Sequence, residues 1–194
     1  MNKIFCIMGK SSSGKDSIYK EIVKDSRIEP LVIYTTRPMR ENEQEGREYH
    51  FVDRETFEKM KAAGSVIESR TYNTKHGEWT YFTAADSISL DKGSCIGIGT
   101  LESYIKIKKH FCGDVVIPLY IEVADDIRLI RAIERERTQS VPKYTELRRR
   151  FIADSKDFSE EKLAQAGITV RFDNSGEEEK CFSEIKRYIS EKIF

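Results

Sequence analysis

The chain has no net charge: across its 194 residues, 33 lysines and arginines meet 33 aspartates and glutamates. That balance excludes a protein-wide field of the kind that draws nucleic acid or an acidic membrane, so basic residues must act locally. Long apolar runs are missing too. The N-terminal stretch Ile4 to Met8 is far too short for a signal peptide or a membrane span, which leaves the cytoplasm as the expected location. His50, His76 and His110 have no ligand spacing, and Cys6, Cys95, Cys112 and Cys181 lie far apart without paired metal-ligand spacing. The cysteines are expected to be reduced and buried, two of them in apolar strand-like runs. No repeat or low-complexity tract is present. At 39% hydrophobic residues the chain can bury one good core, so a single globular unit is expected.

What the sequence does contain starts at Gly9. Gly9-Lys10-Ser11-Ser12-Ser13-Gly14-Lys15-Asp16-Ser17 follows an apolar run and precedes Ile18, Ile22 and Val23 at helical spacing. Strand, glycine-bounded loop and helix N-terminus in that order make a phosphate cradle. Backbone N–H groups converge on an anion, the helix end adds positive potential, and Lys15 reaches the β- and γ-phosphates. Gly9, Ser11, Ser12, Ser13, Gly14, Lys15, Asp16 and Ser17 are the expected ATP-binding residues. Where serine or threonine normally follows the lysine and touches Mg²⁺, this chain has Asp16. A carboxylate is an acceptable ligand, so Asp16 is the expected metal residue.

Strands and helices alternate along the rest. The strand candidates are 3–8, 31–35, 94–99, 116–123 and 168–172, several continuously apolar as strands buried on both faces should be. Helices are expected over 15–25, 54–63, 101–111, 126–137, 143–157 and 176–192. Ser175 with Glu178 reads as a capping box, Asp125 as a cap for the helix after it, and Pro142 as a first-turn residue. This pattern predicts a three-layer α/β fold around a parallel sheet. Residues from Thr36 to about Asp86, and the arginine-crowded stretch Arg128 to Arg150, fit the alternation poorly and read as inserted or mobile elements. Insertions after the second and fourth strands flank a nucleotide bound at the strand C-terminal ends.

One of these segments reads Thr35-Thr36-Arg37-Pro38-Met39-Arg40-Glu41-Asn42-Glu43-Gln44-Glu45-Gly46-Arg47-Glu48-Tyr49-His50-Phe51. It resembles the monophosphate-binding segment of the guanylate kinase family, Thr-Thr-Arg-x-x-Arg-x-x-Glu-x-x-Gly-x-x-Tyr-x-Phe, at every fixed position. The resemblance extends to the phosphate loop, Val66-Ile67-Glu68, the arginine-rich stretch and Val170-Arg171-Phe172-Asp173-Asn174. It implies a single P-loop kinase domain with a core of residues 1–35, 87–125 and 151–194, a monophosphate-binding segment 36–86 and a helical lid 126–150. The implied reaction is Mg²⁺-dependent phosphoryl transfer from ATP to a nucleoside monophosphate, GMP to GDP. The implied partners are these nucleotides, with no nucleic acid and no membrane.

Carried over by position, Arg37, Arg40 and Tyr49 hold the acceptor phosphate, and Glu43 orients one of the arginines. Two guanidinium forks suit phosphate oxygens better than lysine does. Glu68 matches the carboxylate that reads guanine N1–H and N2–H₂, and adenine would leave that acid unpaired. Tyr81 and Thr83 fill the tyrosine and hydroxyl positions of this site, with His76-Gly77 as the rival registration. Of the candidates Arg131, Arg135, Arg137, Arg148, Arg149 and Arg150, the resemblance favours Arg135 or Arg137, and Arg150, as catalytic partners of Lys15, the last because Arg150-Phe151 with Asp157 beyond resembles the family's Arg-Leu and downstream acid. Asn174 resembles the asparagine beside the adenine of ATP.

The sequence also departs from the family. Ile33 stands where a serine is common, and Ile96-Gly97-Ile98-Gly99-Thr100-Leu101-Glu102 lacks the acids that end the third strand. Two alternatives stay open: a kinase of another small phosphorylated acceptor such as ribose 1,5-bisphosphate, whose enzymes share Gly-Lys-Asp, and a weakly catalytic guanylate-kinase-like binding module.

Overall fold

The computed structural model describes residues 1–25, 27–74, 77–111 and 113–193. In chain order its elements are β1 (Ile4–Met8), α1 (Lys15–Ile22), β2 (Ile28–Pro30), β3 (Tyr34–Thr35), β4 (His50–Phe51), α2 (Arg54–Ala62), β5 (Val66–Thr74), β6 (Gly77–Ala84), β7 (Ser94–Ile98), α3 (Leu101–Phe111), β8 (Val116–Glu122), α4 (Asp125–Arg137), α5 (Tyr144–Asp157), α6 (Glu160–Gln165), β9 (Arg171–Asp173) and α7 (Glu178–Ile193).

Side chains alternate across a strand, so a run apolar at every position must be covered on both faces. β1 shows this directly. Ile4, Cys6 and Met8 pack with Leu101, Tyr104 and Ile107 of α3 and Leu163 of α6. Phe5 and Ile7 pack with Ile18 and Ile22 of α1 and with Cys181, Ile185 and Ile189 of α7. The strands run in order β2-β7-β1-β8-β9, all pairs parallel, giving three layers as expected. Cys6, Cys95 and Cys181 are buried free thiols, and burial pushes the first two up to about 12 and the third to about 11. Cys112 and His76 lie outside the described residues. Among the described residues no helix is long and apolar enough to cross a membrane.

The strand expected over 31–35 does not form as one piece. Residues 28–30 pair with β7, Leu31 still gives its N–H to Ile96 O at 2.7 Å, and Tyr34 and Thr35 then leave the core to pair with β6 and β4. They join a second sheet, ordered β4-β3-β6-β5, that takes up much of the segment expected to be inserted. Its core is Phe82 and Ala84 against Phe57 of α2. The β5–β6 hairpin escaped the sequence reading because β5 is polar along most of its length where it borders a cleft, so apolar alternation is absent.

Smaller corrections fall at the ends of elements. Ile168 gives its N–H to Leu163 O and closes α6, which delays the last strand to residue 171. Ser175 Oγ accepts from Ala124 N–H, and α7 starts only at Glu178, so no capping box forms. Asp125 is the first residue of α4 rather than its cap, with its carboxylate taken by Arg128 and Lys10. Pro142 precedes α5 by two residues.

Candidate functional site

β1 delivers the chain to the phosphate loop with no slack. A Cβ on Gly9 would sit 2.6 Å from Ile121 O, and Gly14 holds φ +82° just ahead of α1, so both positions need glycine. Ser12, at φ 64°, is a non-glycine residue in the left-handed region. The hydroxyls of Ser12 and Ser13 are buried without a hydrogen-bond partner among the described residues, so both remain available to a ligand. Burial lowers the pKa of Lys15, while nearby Asp16 and Asp154 work to keep it charged. Ser17 is exposed on the first turn of α1. Asn174 is buried and gives its amide to Ser13 O at 2.9 Å, so the structure places it under the loop as a brace.

The second sheet gathers the residues read from the Thr35 to Phe51 motif. Arg37 is 3% exposed and forms a two-pronged pair with Glu43, at 2.8 and 2.9 Å, while also donating to Pro38 O. Its guanidinium lies 5.4 Å from the Tyr49 ring centre and 5.6 Å from that of Phe51. Glu43 also accepts the Arg40 backbone N–H at 2.8 Å, and it is held below the usual carboxylate range chiefly by the Arg37 hydrogen bonds. Tyr81 stands edge-on to Tyr49 at 5.5 Å, and Thr83 Oγ1 donates to Glu68 Oε1 at 2.8 Å. Tyr81 thus lies beside Tyr49, and Thr83 beside Glu68.

Between loop and sheet runs a cleft of about 1310 Å³, bordered by Gly9, Ser11 and Lys15, by residues 69–72 of β5, and by Arg149 and Arg150 of α5. Gly99 and Thr100 line it where the family's acids are absent, and the Thr100 hydroxyl accepts the Ser103 N–H at the start of α3. Arg135 and Arg150 also border a small gap over Ser11 and Ser12. Arg137 is exposed at the end of α4 and borders neither space.

Four residues of this region were not singled out from sequence. Arg128, 1% exposed, bonds Asp125, Ser11 O and Asp154 and lies 4.0 Å over the Phe151 ring. Asp154 Oδ2 accepts the Ser11 backbone N–H at 2.7 Å, so a carboxylate from α5 sits on the phosphate loop. Arg70 and Ser103 both contact Glu68. An arginine two residues after Glu68 was the available signal for the third of these. The Ser103–Glu68, Arg128–Ser11 and Asp154–Ser11 contacts cross more than 30 positions in sequence and leave no local trace.

Comparison with known proteins agrees with this geometry. The guanylate kinase family model matches residues 1–95. A guanylate kinase of Thermotoga maritima is 31% identical over 142 residues, 69% of this chain and 66% of that protein. One from Thiobacillus denitrificans is 41% identical over 76 residues, 38% of this chain and 36% of the other. The chain therefore aligns with about one third to two thirds of the length of these relatives. The crystal structure of guanylate kinase from Anaplasma phagocytophilum superposes with TM-score 0.65 at 18% identity, covering 100% of this chain and 87% of that one, which establishes the fold. Phosphate loop, Thr-Thr-Arg segment and matched relatives coincide, and the chain belongs to the guanylate kinase family.

Proposed function

We propose that the protein transfers the γ-phosphoryl group of ATP to the phosphate of GMP, forming GDP and ADP in the cytoplasm. The observation that carries this reading is the cleft onto which the phosphate loop, strand β5 of the second sheet and the arginines of α5 open, with Tyr49 and Tyr81 lining a second cavity that also borders Arg70 and Tyr72. Donor and acceptor bound from opposite ends meet there. The acceptor phosphate oxygen attacks the γ-phosphorus, the bond to the bridging oxygen breaks, and ADP carries the electron pair away. No protein nucleophile is needed, so the side chains act by positioning and charge.

In this reading Lys15, with the backbone and hydroxyls of Gly9, Ser11, Ser12, Ser13, Gly14 and Ser17, holds the donor phosphates. Arg135 and Arg150 meet the charge that spreads over the equatorial oxygens in the transition state. Arg137 would need closure of the lid, residues 126–150, to take part. Segment 36–86 binds the acceptor: Arg37, Arg40, Tyr49 and Tyr81 take its phosphate, and Glu43 fixes the Arg37 fork. Glu68 and Thr83 read the base, because guanine offers two donors where adenine offers a bare N1. Asn174 contributes through the loop it braces.

Mg²⁺ suits the site. The Asp16 carboxylate, 74% exposed and 3.9 Å from Lys15 Nζ, is a hard oxygen donor beside the loop. One such carboxylate with phosphate oxygens and water is a usual Mg²⁺ environment. When bound, the ion would neutralise charge on the β- and γ-phosphates.

The test is ADP release with ATP and Mg²⁺ against GMP, dGMP, AMP, UMP and ribose 1,5-bisphosphate. Preference for GMP and dGMP supports the reading. A higher rate with ribose 1,5-bisphosphate overturns GMP as the acceptor, and ADP release independent of any acceptor overturns the kinase.

A further inference from the structure

Strand alternation places Glu68 and Arg70, two residues apart on β5, on the same face. Only 1% of the Glu68 side chain is exposed, against 15% for Arg70. Glu68 Oε1 accepts the Thr83 hydroxyl at 2.8 Å, and Oε2 accepts the Ser103 hydroxyl at 3.4 Å. Arg70 rests on the same carboxylate loosely. Its Nε lies 3.3 Å from Oε2 yet is directed off the hydrogen-bond line, and its Nη2 is 3.5 Å from Oε1. Both contacts are longer than well-formed charge-assisted bonds.

The guanidinium also stands at a junction. Arg70 borders the main cleft and a second cavity of about 410 Å³ that includes Tyr49, Tyr81 and Ile33. A base approaching Glu68 from the cleft therefore meets Arg70 first.

Resting on GMP as the acceptor, we propose that Arg70 is a base-reading residue that shifts off Glu68 when guanine arrives and donates to O6 and N7. The guanine edge presents two donors, N2–H₂ and N1–H, followed by two acceptors, O6 and N7. A carboxylate answers the donors only. The hydroxyls of Thr83 and Ser103 already donate to that carboxylate, and Ile33, on the wall of the second cavity, has no donor side chain. The planar arginine fork matches O6 and N7 together. Adenine mispairs twice against this couple, with its amino group facing the guanidinium and its N1 lone pair facing the carboxylate. The loose Glu68–Arg70 contact makes the shift inexpensive, and the departing guanidinium exchanges one weak partner for two acceptors.

The experiment compares kcat/KM for GMP, 7-deaza-GMP and AMP in wild type, Arg70→Ala and Arg70→Lys, with ATP and Mg²⁺. We expect Arg70→Ala to lower kcat/KM for GMP by about tenfold or more, with KM for ATP unchanged. 7-Deaza-GMP, which lacks the N7 acceptor, should be several-fold poorer than GMP in wild type and equal to it in Arg70→Ala. Arg70→Lys should recover part of the GMP rate. If wild type and Arg70→Ala show the same ratio of GMP to 7-deaza-GMP, Arg70 acts only by packing against Glu68 and the proposal is overturned, while the kinase reading stands. A wild type inactive on GMP overturns both.

Discussion

Replacing Arg128 by methionine should remove about 3 kcal/mol of stability and loosen the phosphate loop from the lid. The side chain is 1% exposed and links three segments. Its Nε and Nη2 donate to Asp125 Oδ1 at 3.2 and 2.9 Å, and Nη1 donates to Ser11 O at 3.2 Å and Asp154 Oδ2 at 3.3 Å. Removing one partner of a fully buried pair costs about 3–5 kcal/mol, because the other charge stays stranded. Asp125 is 52% exposed and Asp154 17%, so water takes over much of the first and some of the second. We therefore assign about 2 kcal/mol to the polar losses, discounted for that hydration. Loss of the guanidinium over Phe151 adds about 1 kcal/mol, and methionine keeps the apolar contact with the ring. For a chain of this size the sum corresponds to a fall in Tm of about 6–12 °C. Urea unfolding gives the stability, an unchanged m-value confirms an intact native state, and an ATP titration should show weaker binding because Ser11 loses its carbonyl anchor. A loss below about 1 kcal/mol would refute the reasoning, since it would mean that water already solvates the guanidinium.

Lys15→Met should abolish phosphoryl transfer while circular dichroism and Tm stay near wild type, since the ammonium serves the ligand more than the fold. Arg40→Ala should weaken the acceptor with little change in stability, because Arg40 is exposed and gives Glu43 a backbone N–H that alanine retains. Arg37→Ala should lower both acceptor affinity and Tm, because the buried guanidinium holds Glu43 through two bonds; acceptor titration and thermal unfolding separate the two cases. Glu43 has its pKa lowered from 4.5 on folding, so its contribution is present above that value and is lost as pH falls through the lower folded value. Glu43→Gln should accordingly be less stable at neutral pH and lose less stability on acidification below pH 4.5, as urea unfolding across that range will show.

The strand-loop-helix at Gly9 to Lys15 was legible because all its determinants are local: an apolar run, glycines at a close approach and a positive φ, and helical spacing after the lysine. The same holds for α3, whose bounds match the periodicity expected for 101–111. The order of residue types from Thr35 to Phe51 marked the proposed acceptor segment before any strand in it was visible. Tertiary structure decided how those residues are used. Arg37 turned out to be buried against Glu43, Asn174 to brace the loop, and residues 34–35 to leave the core sheet for a second one. Charge density alone marked residues 128–150 as a group, yet only packing separates Arg128, sealed beneath the loop, from Arg135 and Arg150 bordering the space above it. A sequence carries periodicity and backbone preference over a few residues. Burial and ion pairing depend on what the fold brings from far along the chain, as when Asp154 reaches Ser11 across 143 positions.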